Sequence, residues 1–123
     1  MKICITASGE SNESKLDPRF GRCSYFVIVD LDTNERTVIP NEASMTGGGA
    51  GVSSGQLMAE QGVEAIITGN VGPNAMNVLK AAGIDIYRGE NKSVTENVNF
   101  FKSGKLKKIT ETVPSHFGMG NRR

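Results

Sequence analysis

The chain has no tryptophan, one histidine, two cysteines and only four prolines, and aromatic residues make up 6% of its 123 positions. Each shortage removes a class of function. Two cysteines cannot build a disulfide framework. With a single histidine, His116, they cannot supply a zinc site or a four-cysteine iron–sulfur centre from one chain either. The same histidine lies far from any nucleophile pattern, so no Ser-His-Asp or Cys-His set can be placed. Charge of one sign is missing too. Fourteen basic residues balance thirteen acidic ones to a net charge of +1, which gives no electrostatic case for nucleic-acid binding. No apolar run approaches the roughly 20 residues of a membrane helix. The N-terminus enters a strand pattern directly, without signal-peptide anatomy. These features predict a cytoplasmic protein with reduced thiols and no membrane or nucleic-acid partner.

What is abundant is glycine, fifteen residues, placed at the joints of an alternating pattern. Residues 2–7 read as a short strand with Ile3 and Ile5 on one face and Cys4 on the other. Residues 23–30 hold four consecutive apolar positions after Tyr25, the mark of a strand buried on both faces. A turn at Asp32–Glu35 leads into a third strand, Arg36–Pro40, which makes a hairpin with the second. A helix is predicted from Ala50 to Gln61, with Ala50, Ser53, Ser54, Leu57 and Met58 inward and Gly62 as its stop. Val63–Thr68 is the fourth strand. Pro73 opens a helix whose inner face is Ala75, Val78, Leu79 and Ala82, ended by Gly83. Ile84–Tyr87 is the fifth strand, parallel to the fourth. Ser93 and Glu96 form a capping box for a last helix bearing Val94, Val98 and Phe101. A weak strand follows within 105–113. The order predicts a three-layer α/β domain with a mixed sheet over residues 1–113, and 114–123 as a mobile tail.

Three loops converge at the carboxyl ends of the strands, where open α/β sheets hold ligands. The first contains Asp17-Pro18-Arg19-Phe20-Gly21-Arg22-Cys23: an acid, two guanidinium groups, a ring and a thiol in seven residues. Pro18 and Gly21 restrict and bend this loop, which presents positive charge beside a sulfur. Its structural reading pairs Arg19 with Asp17 and buries Phe20 at the core edge. The second loop holds Gly47, Gly48 and Gly49, and the third holds Gly72. Both end at a helix N-terminus, which favours an anion. The glycine tract lacks the lysine of a phosphate-binding loop and the third small residue of a dinucleotide fingerprint, so no nucleotide is expected. Cys23, with Arg19 and Arg22 favouring its thiolate, and His116 are the candidate metal ligands. Asp17 and Asp30 offer a thin case for a divalent-metal-dependent hydrolase.

Three segments together are a more specific signal: Asp17–Arg22 running into Tyr25–Asp30, Gly47–Val52, and Gly62–Ala75 with Leu79–Ile84. The combination resembles the dinitrogenase iron–molybdenum cofactor biosynthesis family over roughly residues 1–105. The resemblance implies a ribonuclease H-like motif with a five-stranded mixed sheet flanked by helices. It implies non-enzymatic binding or carriage of iron–molybdenum cofactor, or another metal–sulfur cluster or precursor, as nitrogenase accessory factor-like proteins do. Arg19, Phe20 and Gly21 match the family's Arg-Phe-Gly motif at the cluster-binding end. Partners would be metallocluster biosynthesis or acceptor proteins, with a homodimer through the hairpin edge possible. A protein-interaction module without a cluster, and the hydrolase, stay open as alternatives.

Overall fold

A computed structural model of the chain describes residues 1–42 and 50–110. Six strands form one mixed sheet in the order β3-β2-β1-β4-β5-β6. They are β1 (Lys2–Ala7), β2 (Tyr25–Asp30), β3 (Arg36–Pro40), β4 (Ala65–Thr68), β5 (Asp85–Arg88) and β6 (Lys107–Lys108). Helices α1 (Ala50–Glu60), α2 (Pro73–Ala81) and α3 (Val94–Lys102) complete the domain. The β2–β3 hairpin is antiparallel, and β1, β4 and β5 run parallel.

The sheet has six strands where five were expected. The extra one is the weak segment near residue 107. Lys107 and Lys108 pair antiparallel with Arg88 and Tyr87, and Lys108 meets Asp85 at 3.0 Å. It falls inside the weak strand expected within 105–113; two residues without apolar alternation carry little strand signal, and pairing with β5 fixes their place.

Period-two alternation splits the sheet into two apolar faces. Cys4, Phe26, Ile28, Ile66 and Ile86 pack with Met58, Met76 and Leu79 beneath α1 and α2. Ile3, Ile5, Val27, Val29 and Ile67 pack on the opposite face with Val94, Val98 and Phe101 of α3. The three-layer prediction therefore holds. Within α1 the inward set shifts: Ser53 is exposed and Gly55 is buried against Val78. In α2, Met76 is buried and Ala82 is exposed. The capping box at Ser93 is formed, with the Glu96 amide donating to Ser93 Oγ at 3.1 Å. Gly62 and Gly83 take φ of 74° and 73°, the left-handed stops expected after α1 and α2. No helix of the described residues is long and apolar enough to cross a membrane.

A candidate anion site at the ends of the parallel strands

The loop after β1 is bound to the loop after β4. Asp17 donates its amide to Thr6 O at 2.9 Å, and Thr6 Oγ1 donates to Asp17 O at 2.6 Å. Asn70 donates its amide to Pro18 O at 2.7 Å, and Phe20 donates to Asn70 O at 3.2 Å. The two loops thus form a short parallel ladder. The approach admits only glycine at 69, because a Cβ there would lie 2.7 Å from Pro18 Cα. Gly21, at φ 91°, brings the same loop against α1: its Cβ would lie 2.9 Å from Gly51 Cα. Asn41 clamps the turn from the far side, donating Nδ2 to Gly21 O at 3.0 Å and Cys23 O at 2.9 Å.

These contacts enclose a cavity of about 350 Å³ lined by Arg19, Phe20, Arg22, Gly51, Asn70 and Gly72, together with the first turns of α1 and α2. Phe20 is buried against Phe26, with ring centroids 6.1 Å apart. Arg19 is fixed by Asp17: Nε donates to Oδ1 and Nη2 to Oδ2, each at 3.0 Å, and the Arg19 amide adds a bond to Oδ1 at 3.1 Å. Asp17 is 6% exposed and the Arg19 side chain 62%, so the acid anchors a guanidinium that still faces solvent. Arg22 is exposed and has no ion pair among the described residues. Gly72 caps α2 without a side-chain bond, and neither helix has an acid in its first turn. The Asn74 and Ala75 amides are left to a ligand or water, while the Met76 amide donates to Gly72 O at 2.9 Å. Among the described residues no carboxylate lines the cavity. Arginine pairs and open helix N-termini around such a space suit a multiply charged anion.

Predicted site residues separate into three groups. Arg19, Phe20, Arg22 and Gly72 line the cavity, and Gly21 shapes its wall. Gly47, Gly48, Gly49 and His116 lie outside the described residues. Cys23 differs from expectation. It is fully buried among Phe20, Phe26 and Met58, and it does not line the cavity. Burial, then the negative charge of Asp17, pushes its thiol up to about 12, only partly offset by the Gly21 amide and Asn41. The neighbouring arginines do not outweigh this, because burial and the Asp17 charge both oppose a thiolate. Asp17 and Asp30 also fail to meet. Asp30 pairs with Lys2 at the start of β1, whereas Asp17 bonds Thr6 near its end. Four strand residues put them about 13 Å apart along β1. Among the described residues no three His, Cys, Asp or Glu side chains gather as a metal site.

Sequence reasoning missed Gly51, Asn41 and Asn70. Each is a polar or small residue whose role depends on a partner distant in the chain. The Gly-Asn-Val-Gly-Pro run at 69–73 was the one available signal for Asn70.

The sequence profile described as dinitrogenase iron-molybdenum cofactor matches residues 1–104. An uncharacterized protein of Methanocaldococcus jannaschii is 40% identical over 112 residues, covering 89% of this chain and 92% of that one. The apo form of the orange protein from Desulfovibrio gigas superposes with a TM-score of 0.83 at 35% identity, covering 88% of this chain and 92% of that one. An NMR structure of a Thermotoga protein gives 0.81 at 34% identity, covering 89% and 94%.

Proposed function

As the chain belongs to the dinitrogenase iron–molybdenum cofactor family, we propose that it binds an anionic metal–sulfur cluster in this cavity and carries it between other proteins without catalysing a reaction. The cargo would be iron–molybdenum cofactor-like or a precursor, and the partners would be metallocluster biosynthesis or acceptor proteins. The observation that carries this reading is the lining itself: two guanidinium groups, an open helix N-terminus at Gly72 and no carboxylate. The volume lies at the lower end of ligand pockets, about 300–1,000 Å³. Among the described residues no thiol or imidazole faces the cavity, so a cargo would arrive with its metals already ligated by sulfide. Arg19, Arg22 and backbone amides would then hold its outer sulfurs by charge-assisted hydrogen bonds. Such a grip releases its cargo without breaking a metal–protein bond, which suits a carrier.

Anaerobic reconstitution with iron, sulfide and molybdate tests this. Metal analysis and visible absorption would be read on the gel-filtered protein. The expected result is a stoichiometric chromophore, held about tenfold more weakly by Arg22→Ala, the equivalent of losing about 1.4 kcal/mol of charge-assisted bonding. A colourless wild type without retained metal, folded by circular dichroism, would overturn the proposal.

A further inference from the structure

A second depression of about 210 Å³ lies beside the first, on the same edge of the sheet, and Asn70 lines both. Its floor is apolar, from Leu16 and Pro18. Its polar side chains are Asn70, Arg88 and Asn91, all exposed. None of the three side chains has an ion pair or hydrogen-bond partner among the described residues. Arg19 and Lys108, by contrast, are matched to Asp17 and Asp85. Among the described residues no carboxylate lines the space, and Glu90, the nearest acid in sequence, lines a different depression with Phe100 and Lys105.

The backbone beneath these side chains is fixed. Asn70 is held on both sides by the 18–20 loop. The 89–93 turn is held by Asn97, which is fully buried. Its Nδ2 donates to Glu90 O and Ser93 O, each at 3.0 Å, and its Oδ1 accepts from the Glu90 amide at 2.8 Å. Gly89 donates to Thr68 O at 2.8 Å. A guanidinium fork and two carboxamides therefore stand around one small space on rigid supports. That is the donor set for an anion with several equivalent oxygens, where a fork can engage two at once.

We propose that the cavity of Asn70, Arg88 and Asn91 is a separate subsite for one small tetrahedral anion, adjoining the larger site through Asn70. Phosphate, sulfate and molybdate share this chemistry. The two carboxamides accept as well as donate, so a singly protonated phosphate, which can return a hydrogen bond, is favoured over sulfate or molybdate.

The test is an amide ¹H–¹⁵N titration of the full chain with inorganic phosphate, repeated with sulfate and with molybdate. Saturable shifts at Gly69, Asn70, Gly89 and Asn91 are expected, with phosphate tightest. Arg88→Ala should weaken phosphate about tenfold, Arg88→Lys should fall between, and Arg22→Ala should leave the titration unchanged. Shifts confined to Phe20, Arg22, Gly51 and Ala75, or no saturable shifts, would overturn the subsite. So would an Arg88→Ala protein that is folded and titrates as wild type. The cluster reconstitution is read separately on Arg22→Ala, so either proposal can fail alone.

Discussion

Gly21→Ala should be a costly glycine substitution at the site, and its cost can be divided. The residue sits at φ 91°, where an L side chain is strained by about 1–2 kcal/mol. A methyl there would also lie 2.9 Å from Gly51 Cα and 3.0 Å from Gly51 N, both backbone atoms that cannot rotate away. Forcing a methyl into packed structure adds about 1–3 kcal/mol. The sum, on the order of 2–5 kcal/mol, is a large part of the roughly 5–15 kcal/mol that holds a domain together. Gly62→Ala is the control. Its φ is 74°, yet a Cβ there meets nothing within 4 Å, so only the backbone strain of about 1 kcal/mol remains. Urea unfolding followed by circular dichroism would measure both. With a slope of about 2 kcal/mol per molar, Gly21→Ala should lower the midpoint by about 1–2.5 M and Gly62→Ala by about 0.5 M. Equal midpoints for the two variants would refute the close approach of the 17–23 loop to α1, and with it the cavity built on that contact.

Two further outcomes follow from buried groups. Asn97→Leu removes the buried amide that satisfies Glu90 N and Glu90 O; Glu90 is exposed, so water replaces part of the loss, the cost is about 0.5–1.5 kcal/mol per bond, and hydrogen exchange should speed at Glu90 first. Cys4 and Cys23 both have thiols raised by burial, Cys23 to about 12 from an ordinary 9.0. The native state therefore holds protons that the unfolded chain releases above pH 9. Stability from these groups is complete below that pH and is lost as pH rises toward 12, so the urea midpoint should fall over this window. A thiol reagent at pH 8 should modify neither cysteine in the native protein and both in urea. Fast native modification of Cys23 would contradict its burial.

The parts of the fold legible in the sequence were those set by local pattern. The buried run Phe26–Val29, the alternation about Cys4, the glycine stops and the Ser93 capping box each follow from neighbours within four residues, and each is present. What escaped depends on partners far along the chain. The weak strand expected within 105–113 is present as β6, but its bounds and its partner are set by β5. Ser53 and Gly55 exchange faces because α1 packs on α2 as well as the sheet, and the closeness of the two helices selects glycine facing Val78. The candidate site divides in the same way. The arginines and Gly72 could be found by composition and by helix position. Cys23 could not be judged, since adjacency to arginine in sequence says nothing of whether the sulfur turns to the cavity or to the core.

The acid in the Asp17–Cys23 stretch resolves what at first looks contradictory in an anion site. Among the described residues the Asp17 carboxylate accepts three hydrogen bonds, and all three come from Arg19. It therefore cancels one charge while aiming the guanidinium that carries it. The positive field that remains comes from Arg22 and from the helix N-termini, each worth about half a charge. Those are the parts that a salt titration of cargo binding should reveal, because Arg22 is exposed and screened. The same carboxylate stands near Cys23 and helps keep its thiol protonated. The stretch thus keeps an oriented arginine and a free one at the cavity while the sulfur stays neutral in the core. If the proposed carriage of a cluster holds, that arrangement serves release better than a stronger ligand would.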